Sequence, residues 1–440
     1  MNGSQRRFIR KRNYELRKSR RVMLHREKLN KHREIAREKG YDEYTLTNDM
    51  KLRTLYKTIT DFLDDSNFAI KKLEFSLDKK KTRQLCVPKV FSFNENPDQT
   101  IAFLRQLYSY LLCKKTYKID IEHAQCTEID IAASSVMDTI VESSLNVHRY
   151  LDRNIGLSGH LPKEGAVRDI LQISGIVDVL GLNDGIQPDY IKKLDKVRNI
   201  KSDIISTRVV KFYEKCLDTQ GYELTDLGTN YLSEMVGEVV DNCEQHGGPQ
   251  KDWFVQGHYS LNEEGDGECH ITIFNFGNTI YESFTKDCVT ETTKEEISAI
   301  CEKHKSMYNK WWNEETLITL YALQEGVSRK RVDDILDDDF DRGTGTMKLI
   351  RHFMSIGRKA DGTKPLLSIT SGKAHIKFDD TYSVERIDQR NIAFLNRENN
   401  VNDLPDERFV KYLRNKFPGT VISMQFYLDR SYIESVLEGE

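Results

Sequence analysis

Residues 238–248, EVVDNCEQHGG, concentrate carboxylate, amide and imidazole groups that could bind a metal ion or move a proton. Glu238 and Asn242 are four residues apart, so on a helix their side chains would share one face. A positioned carboxylate can act as a general base, and a carboxamide oxygen is a hard donor of the kind that Mg²⁺ binds. His246 follows one turn later. On their own these spacings predict a helix with a polar face, and they leave open whether that face is solvated or meets a ligand.

Two glycine-containing segments further along the chain could hold other parts of a ligand. Asn275 and Gly277 end a stretch in which apolar and polar residues alternate as in a strand. Gly343, Thr344 and Gly345 precede a helix-like stretch. Free backbone N–H groups at the start of a helix can cradle phosphate, and glycine lets the backbone approach it closely. The second segment therefore predicts a phosphate-binding turn.

The pattern of apolar residues predicts the elements that must position these groups. From Asp226 onward the apolar residues gather on one helical face, and Gly247 ends the predicted helix. The predicted β elements are a strand at 269–280, a hairpin at 366–378 and a strand at 418–428.

The order of these segments resembles that of the GHKL ATPases, whose nucleotide-binding domain has the Bergerat fold. The resemblance covers residues 220–430 and implies ATP and Mg²⁺ as ligands. It implies that Asn242 supplies an oxygen to Mg²⁺ and that Glu238 activates the attacking water. The further nucleotide-binding positions that it implies are His246, Asn275, Gly277, Gly343, Thr344, Gly345 and Thr420.

The chain departs from the family pattern at two positions. Where the family has an Asp that accepts a hydrogen bond from the adenine amino group, this chain has Asn275. A carboxamide oxygen can also accept that bond, so the expectation is that adenine recognition survives. Met347 replaces a further glycine, and we expect this bulky residue to narrow the approach of the backbone to phosphate. The residues between the two glycine-containing segments correspond to the ATP lid of the family.

The N-terminal half predicts a small α/β unit, because strand-like and helix-like segments alternate there. The predicted elements are strands at 86–93 and 117–122, a helix at 98–112 and a second helix after a turn at 129. Residues 85–185 resemble the STAS-like domains of anti-sigma-factor antagonists, in which a loop Ser or Thr is phosphorylated. That resemblance points to Ser134 or Ser135, and helix N-capping is the alternative role of these residues.

The net charge of -3 conceals a basic N-terminus. Residues 5–39 carry 15 Lys or Arg and 4 Glu, a net +11, which leaves -14 for the rest of the chain. Such a segment is suited to nucleic-acid phosphates or an anionic protein surface, and a solvated tail is the alternative. The chain has neither an apolar run that could span a bilayer nor a signal-peptide pattern, so we expect a cytoplasmic protein without membrane contact. The 8 cysteines lack metal-ligand spacing.

The predicted fold class combines α/β and α+β architecture. We expect a basic helical tail at 1–45, a STAS-like α/β domain at 46–200 and a GHKL domain with a Bergerat α/β sandwich at 201–440. The predicted function is an ATP-driven regulatory switch or weak ATPase coupled to the STAS-like domain. A Ser/Thr protein kinase of the anti-sigma-factor type and a non-hydrolysing nucleotide sensor or scaffold are the alternatives. A protein partner or a homodimer is expected.

Overall fold

The structure is a computed structural model with mixed α/β architecture. The described residues are 81–112, 116–150, 155–163, 165–180, 182, 189–219, 221–246, 253–261, 267–285, 289–327, 345–359, 361–387 and 389–429. The basic tail predicted at 1–45 lies outside them. Among these residues, no helix combines the length and the apolar character needed to cross a bilayer.

The N-terminal part alternates strands and helices, as predicted. Its elements are β1 (Lys81–Cys86), β2 (Val90–Phe91), α1 (Pro97–Leu112), β3 (Thr116–Glu122), β4 (Glu128–Ile129), α2 (Ile131–Tyr150), β5 (Gly156–His160), α3 (Ala166–Ile173) and α4 (Gly175–Leu180). Strands β1, β3 and β5 form a parallel sheet in that order, and β2 pairs with β4. The single strand predicted at 86–93 was wrong, because the pairing stops before Pro88, which has no N–H to donate.

Asp130, and neither of the two serines after it, caps helix α2. Its Oδ1 accepts a hydrogen bond from the N–H of Ala133 (2.7 Å), and its Oδ2 accepts one from the Ser92 hydroxyl (2.7 Å). Burial raises the pKa of the Asp130 carboxyl. Ser134 and Ser135 lie inside the helix and are fully buried. The expectation that these serines cap the helix was therefore wrong.

The C-terminal part contains the longer strands. Its elements are β6 (Ile191–Arg198), α5 (Ser202–Asp218), α6 (Asp226–His246), β7 (Trp253–Leu261), β8 (Gly267–Phe276), α7 (Ile280–Thr285), α8 (Glu291–His304), α9 (Glu314–Tyr321), α10 (Gly345–Ile356), β9 (Leu366–Phe378), β10 (Glu385–Ile387), β11 (Arg390–Ile392) and β12 (Val410–Leu428). Five strands form an antiparallel sheet in the order β6-β7-β8-β12-β9. The sequence predicted a domain boundary at residue 200. Strand β6 lies before that position and nevertheless belongs to the sheet of the C-terminal part.

Residues 366–378 form one strand, so the predicted hairpin was wrong. Gly372 has φ 62°, which bends β9 without reversing it. An added Cβ at Gly372 would collide with the carboxylate of Glu315, whose Oε1 accepts a hydrogen bond from the N–H of Lys373 (2.8 Å). A glycine with positive φ serves a bulge as well as a turn, and the sequence alone does not distinguish the two.

The five-stranded sheet is covered on both faces. On one face, here called the helical face, Ile271 and Ile273 of β8 pack with α5, α6 and α10. On the opposite face, here called the N-terminal face, Phe254, Phe274 and Phe276 pack with α1 and α2. The described residues accordingly belong to one compact unit.

Much of the segment expected to be a lid is a folded helical insert. Trp312 is fully buried, and its Nε1 donates a hydrogen bond to Nδ1 of His304 (3.1 Å). Asn313 caps α9, with Thr316 completing a reciprocal capping box. The buried residues of 289–327, such as Trp312 and Leu317, belong to the core of the helical face. Residues 328–344 lie outside the described part of the chain.

Candidate functional site

A row of polar side chains crosses three strands at one end of the five-stranded sheet. Thr420 of β12 pairs with Asn275 of β8 on one side and with Ser371 of β9 on the other. Directly paired residues in neighbouring strands point to the same face of a sheet. Ile273, two residues before Asn275, lies in the core of the helical face. Asn275, Thr420 and Ser371, here called the polar row, therefore face α5, α6 and α10.

Hydrogen bonds join the polar row to the turn that follows β8. The N–H of Thr420 donates to Oδ1 of Asn275 (3.1 Å). The hydroxyls of Thr420 and Ser371 share a hydrogen bond (2.8 Å), and the N–H of Ile280 donates to the Ser371 hydroxyl (2.8 Å). The row thus holds three strands and the first turn of α7 in one arrangement.

Two glycines bring the backbones of β8 and β12 close together beside the row. Gly277 has φ 150°, and its N–H donates to the carbonyl oxygen of Pro418 (3.1 Å). Gly419 has φ 148°, and an added Cβ there would collide with the carbonyl oxygen of Asn275. The positive φ at both positions favours glycine, and at Gly419 a Cβ is also excluded, so the two backbones can approach each other closely.

Helix α6 brings Glu238 and Asn242 to the same end of the sheet. Strand β6 ends at Arg198, opposite Phe254 near the start of β7, and α5 begins four residues later. Ser206, in the first turns of α5, lies against Gly237 of α6, where an added Cβ would be 3.2 Å from the Ser206 hydroxyl. Glu238 directly follows this contact. The second half of α6 therefore lies near the polar row.

Glu238 and Asn242 share one face of α6. Nδ2 of Asn242 donates a hydrogen bond to Oε1 of Glu238 (3.3 Å), which turns Oδ1 of Asn242 away from the carboxylate. His246 is the last residue of α6. Within the described ranges, no group of three or more His, Cys, Asp or Glu side chains is arranged to hold a metal ion. The single amide oxygen of Asn242 fits Mg²⁺, which takes few protein ligands and keeps waters or phosphate oxygens.

Helix α10 also begins at this end of the sheet. Gly357, just after α10, packs against Phe426, and its carbonyl oxygen accepts a hydrogen bond from the N–H of Tyr427 (3.2 Å). Phe426 lies on β12 six residues beyond Thr420, so α10 runs from the Thr420 end toward the opposite end. Its first residue, Gly345, is thus directed to the polar row.

The side chain of Met347 has a role other than the one expected. It is fully buried in the core of the helical face. The expectation that Met347 narrows the phosphate-binding turn was therefore wrong, because helical periodicity turns this side chain inward. Gly343 and Thr344 lie outside the described residues.

The N-terminal part contacts β12 close to the polar row. Oδ1 of Asp98, in the first turn of α1, accepts hydrogen bonds from the N–H groups of Arg414 (2.8 Å) and Asn415 (3.0 Å). Arg105 donates from its guanidinium to Oδ1 of Asn415 (2.8 Å). These contacts lie five and six residues before Thr420 on the same strand, so α1 holds the strand that carries the row.

No family model matches this chain, and neither does a curated protein or a solved structure. The chemical argument therefore rests on the arrangement of these side chains.

Three contributors to this end of the sheet were missed from the sequence. Ser371 was placed in a hairpin turn, although the Ser-Gly pair was visible. Glu282 forms a reciprocal capping box with Thr279 (3.0 Å in both directions) and an ion pair with Lys416 (2.6 Å). The Thr-x-x-Glu spacing was the signal for that cap. Asp98 gave no signal beyond its role at the start of α1.

Proposed function

We propose that residues 220–430 form a nucleotide-binding module of the GHKL type with a Bergerat fold, coupled to a STAS-like N-terminal unit. ATP with Mg²⁺ is the ligand that the resemblance implies, and the module would act as a regulatory switch or a weak ATPase. The observation that carries the proposal is that α6, the polar row and the start of α10 meet at one end of the sheet. A nucleotide site needs a few polar groups, brought from distant segments, in one place.

Each of these groups has a chemical role in the proposal. Oδ1 of Asn242 would hold Mg²⁺, which offsets the negative charge of the phosphates. The first turn of α10, from Gly345, offers free N–H groups to phosphate oxygens. Glu238, one turn from Asn242, would act as the general base toward water.

The contact between α1 and β12 supports the coupling part of the proposal. Asp98 binds the backbone of Arg414 and Asn415, and Thr420 follows on the same strand. A ligand that shifts the polar row would also shift the segment that α1 holds. Packed elements with specific hydrogen bonds are the kind of connection through which two sites influence each other.

The kinase alternative requires a hydroxyl that can reach the transferred phosphate. Ser134 and Ser135 are fully buried within α2, which disfavours their phosphorylation in the folded chain. A Ser or Thr of a partner protein is the acceptor left to this alternative. A nucleotide sensor differs from both enzymes because it has no turnover.

The test compares the full chain with Asn242→Ala and Glu238→Ala, using calorimetry for Mg²⁺-dependent binding and phosphate release for turnover. ATP and GTP are measured in parallel. We expect Asn242→Ala to weaken binding on the order of tenfold to a hundredfold, as loss of a metal-site interaction does. Glu238→Ala should retain binding and lose turnover. Asp241→Ala changes the exposed neighbour of Asn242 and should behave like the parent.

Three outcomes separate the alternatives. Binding by Asn242→Ala as tight as that of the parent would show that the site is assigned wrongly. Binding without turnover in both the parent and Glu238→Ala would make the module a sensor. Transfer of labelled γ-phosphate to a protein hydroxyl would identify a kinase.

A further inference from the structure

The identity of the base follows from the orientation of one carboxamide, and this inference rests on the proposed nucleotide site. We propose that Asn275 recognises a purine with a hydrogen-bond acceptor at position 6, as in hypoxanthine and guanine. The adenine amino group, a donor, is the group that this orientation disfavours. The nucleotide class would then be 6-oxopurine nucleoside triphosphates.

The backbone of β12 fixes which end of the Asn275 carboxamide faces it. The N–H of Thr420 donates to Oδ1 of Asn275 (3.1 Å). Rotating the carboxamide by half a turn would place Nδ2, a donor, against this N–H, and the N–H would lose its acceptor. The oxygen is therefore held by the sheet.

The nitrogen of the same group remains available to a ligand. Within the described ranges, Nδ2 of Asn275 donates to no protein acceptor. Nor is it one of the buried side-chain nitrogens without a partner. Asn275 as a whole is 3% exposed, so this nitrogen is a donor at the edge of a nearly dry position.

The chemistry at this position differs between Asp and Asn for a simple reason. With one carboxylate oxygen bound to the Thr420 N–H, an Asp offers its second oxygen, which accepts from an amino group. With Oδ1 bound in the same way, Asn275 offers Nδ2, which donates to a carbonyl oxygen. The expectation that the carboxamide oxygen accepts the adenine amino group is therefore not favoured, because that oxygen is directed at the Thr420 N–H and Nδ2 takes the other side of the carboxamide.

When two hydrogen-bond donors, Nδ2 of Asn275 and the adenine amino group, face each other, the nucleotide binds measurably more weakly. Each donor loses its water and gains no acceptor, and such a loss corresponds to an affinity ratio on the order of tenfold to a hundredfold.

The experiment measures binding of ITP, purine riboside triphosphate and ATP, each with Mg²⁺, to the full chain by calorimetry. Their bases carry a carbonyl, hydrogen and an amino group at position 6, and none of them has the 2-amino group that would add a second difference with guanine. We expect ITP to bind most tightly and ATP least tightly, with ITP ahead of ATP by about tenfold or more. ATP binding as tight as ITP, or tighter, would overturn the base assignment.

The matched variant is Asn275→Asp. An Asp keeps an oxygen for the Thr420 N–H, so the polar row is conserved, and its second oxygen reverses the hydrogen-bonding direction. We expect ATP to bind more tightly than ITP in this variant, and an unchanged order in folded protein would overturn the assignment. The order measured for the parent decides the question if the variant does not fold. Absence of binding for all three nucleotides to the parent would instead overturn the proposed nucleotide site itself.

Discussion

Both faces of the five-stranded sheet are covered, but they carry different types of side chain at the end of β8, next to Gly277. On the helical face this end carries the polar row, with Asn275 and Thr420 joined through the backbone of β12. Directly behind it, on the N-terminal face, lie stacked aromatic rings, with Phe254 and Phe274 4.9 Å apart between centroids. Toward the other end of that face the rings give way to buried polar groups, and His258 stacks on His270 at 4.3 Å.

This difference suggests a division of labour within a single sheet. Aromatic packing gives the polar row a stiff support, because close-packed rings resist displacement. Hydrogen bonds on the N-terminal face, such as that from the Ser135 hydroxyl to Oε1 of Gln256 (2.6 Å), fix how the N-terminal part is seated. In the proposed function one face would hold the ligand and the other would transmit its state, and the following predictions test that contrast.

The largest expected effect comes from removing an aromatic ring behind the row. Phe254→Ala leaves a cavity beside Phe274 and should lower the free energy of unfolding by about 3–5 kcal/mol. Urea unfolding followed by circular dichroism measures this change. Ile204→Ala, at an exposed position of α5, is the control and should change stability by less than about 0.5 kcal/mol. Equal effects of the two substitutions would argue against a stiff aromatic support.

A smaller effect is expected from His258, which should make the free energy of unfolding depend on pH. Burial keeps the pKa of this imidazole well below its usual value, so the folded protein holds it neutral. The unfolded chain takes up the proton near pH 6.5, so the stability contributed by the neutral form is lost as the pH falls below that value. Between pH 7.5 and 5.5 this amounts to about 1.4 kcal/mol.

Urea unfolding at both pH values, with His258→Gln beside the parent, isolates this contribution. Burial raises the pKa of Asp138 to about 6, so that group acts with the opposite sign, but it is common to both proteins. We expect the variant to lose less stability on acidification than the parent does. A parent and His258→Gln with the same pH dependence would refute this account.

The smallest expected effect on stability is that of Asp98→Ala, which removes the acceptor for two backbone N–H groups of β12. We expect a loss of about 1 kcal/mol, because Arg414 is exposed and water can replace its lost acceptor. Nucleotide affinity should change little, but the effect of bound nucleotide on hydrogen exchange in α1 should diminish. Glu95→Ala breaks an ion pair to Lys377 on β9 and serves as the control. A nucleotide effect on α1 that persists in Asp98→Ala would show that the coupling takes another route.

The sequence predicted local elements well where the apolar pattern was long. Helix α6 and strand β8 were expected within a few residues of their observed bounds, because their periodicity reports which side is buried. The prediction of a hairpin at 366–378 was wrong because a glycine at positive φ is compatible with both a turn and a bulge. The prediction for Ser134 and Ser135 was wrong because these side chains are buried against sheet residues that lie more than 100 positions later in the chain.

For the candidate site, too, the sequence predicted some features and only the tertiary structure showed the others. Helix geometry alone placed Glu238 and Asn242 on one polar face. The resemblance to the GHKL ATPases then pointed to these two residues and to Asn275 and Thr420 as nucleotide-binding positions. Their function stays a prediction until nucleotide binding is measured. The atom that Asn275 presents was not accessible from the sequence, because it depends on where the N–H of Thr420, 145 residues later, points. The seating of α1 on β12 had no sequence signal either. Sequence thus determined which groups are available, and tertiary packing decided which atoms of those groups are already bonded and which are left without a bond.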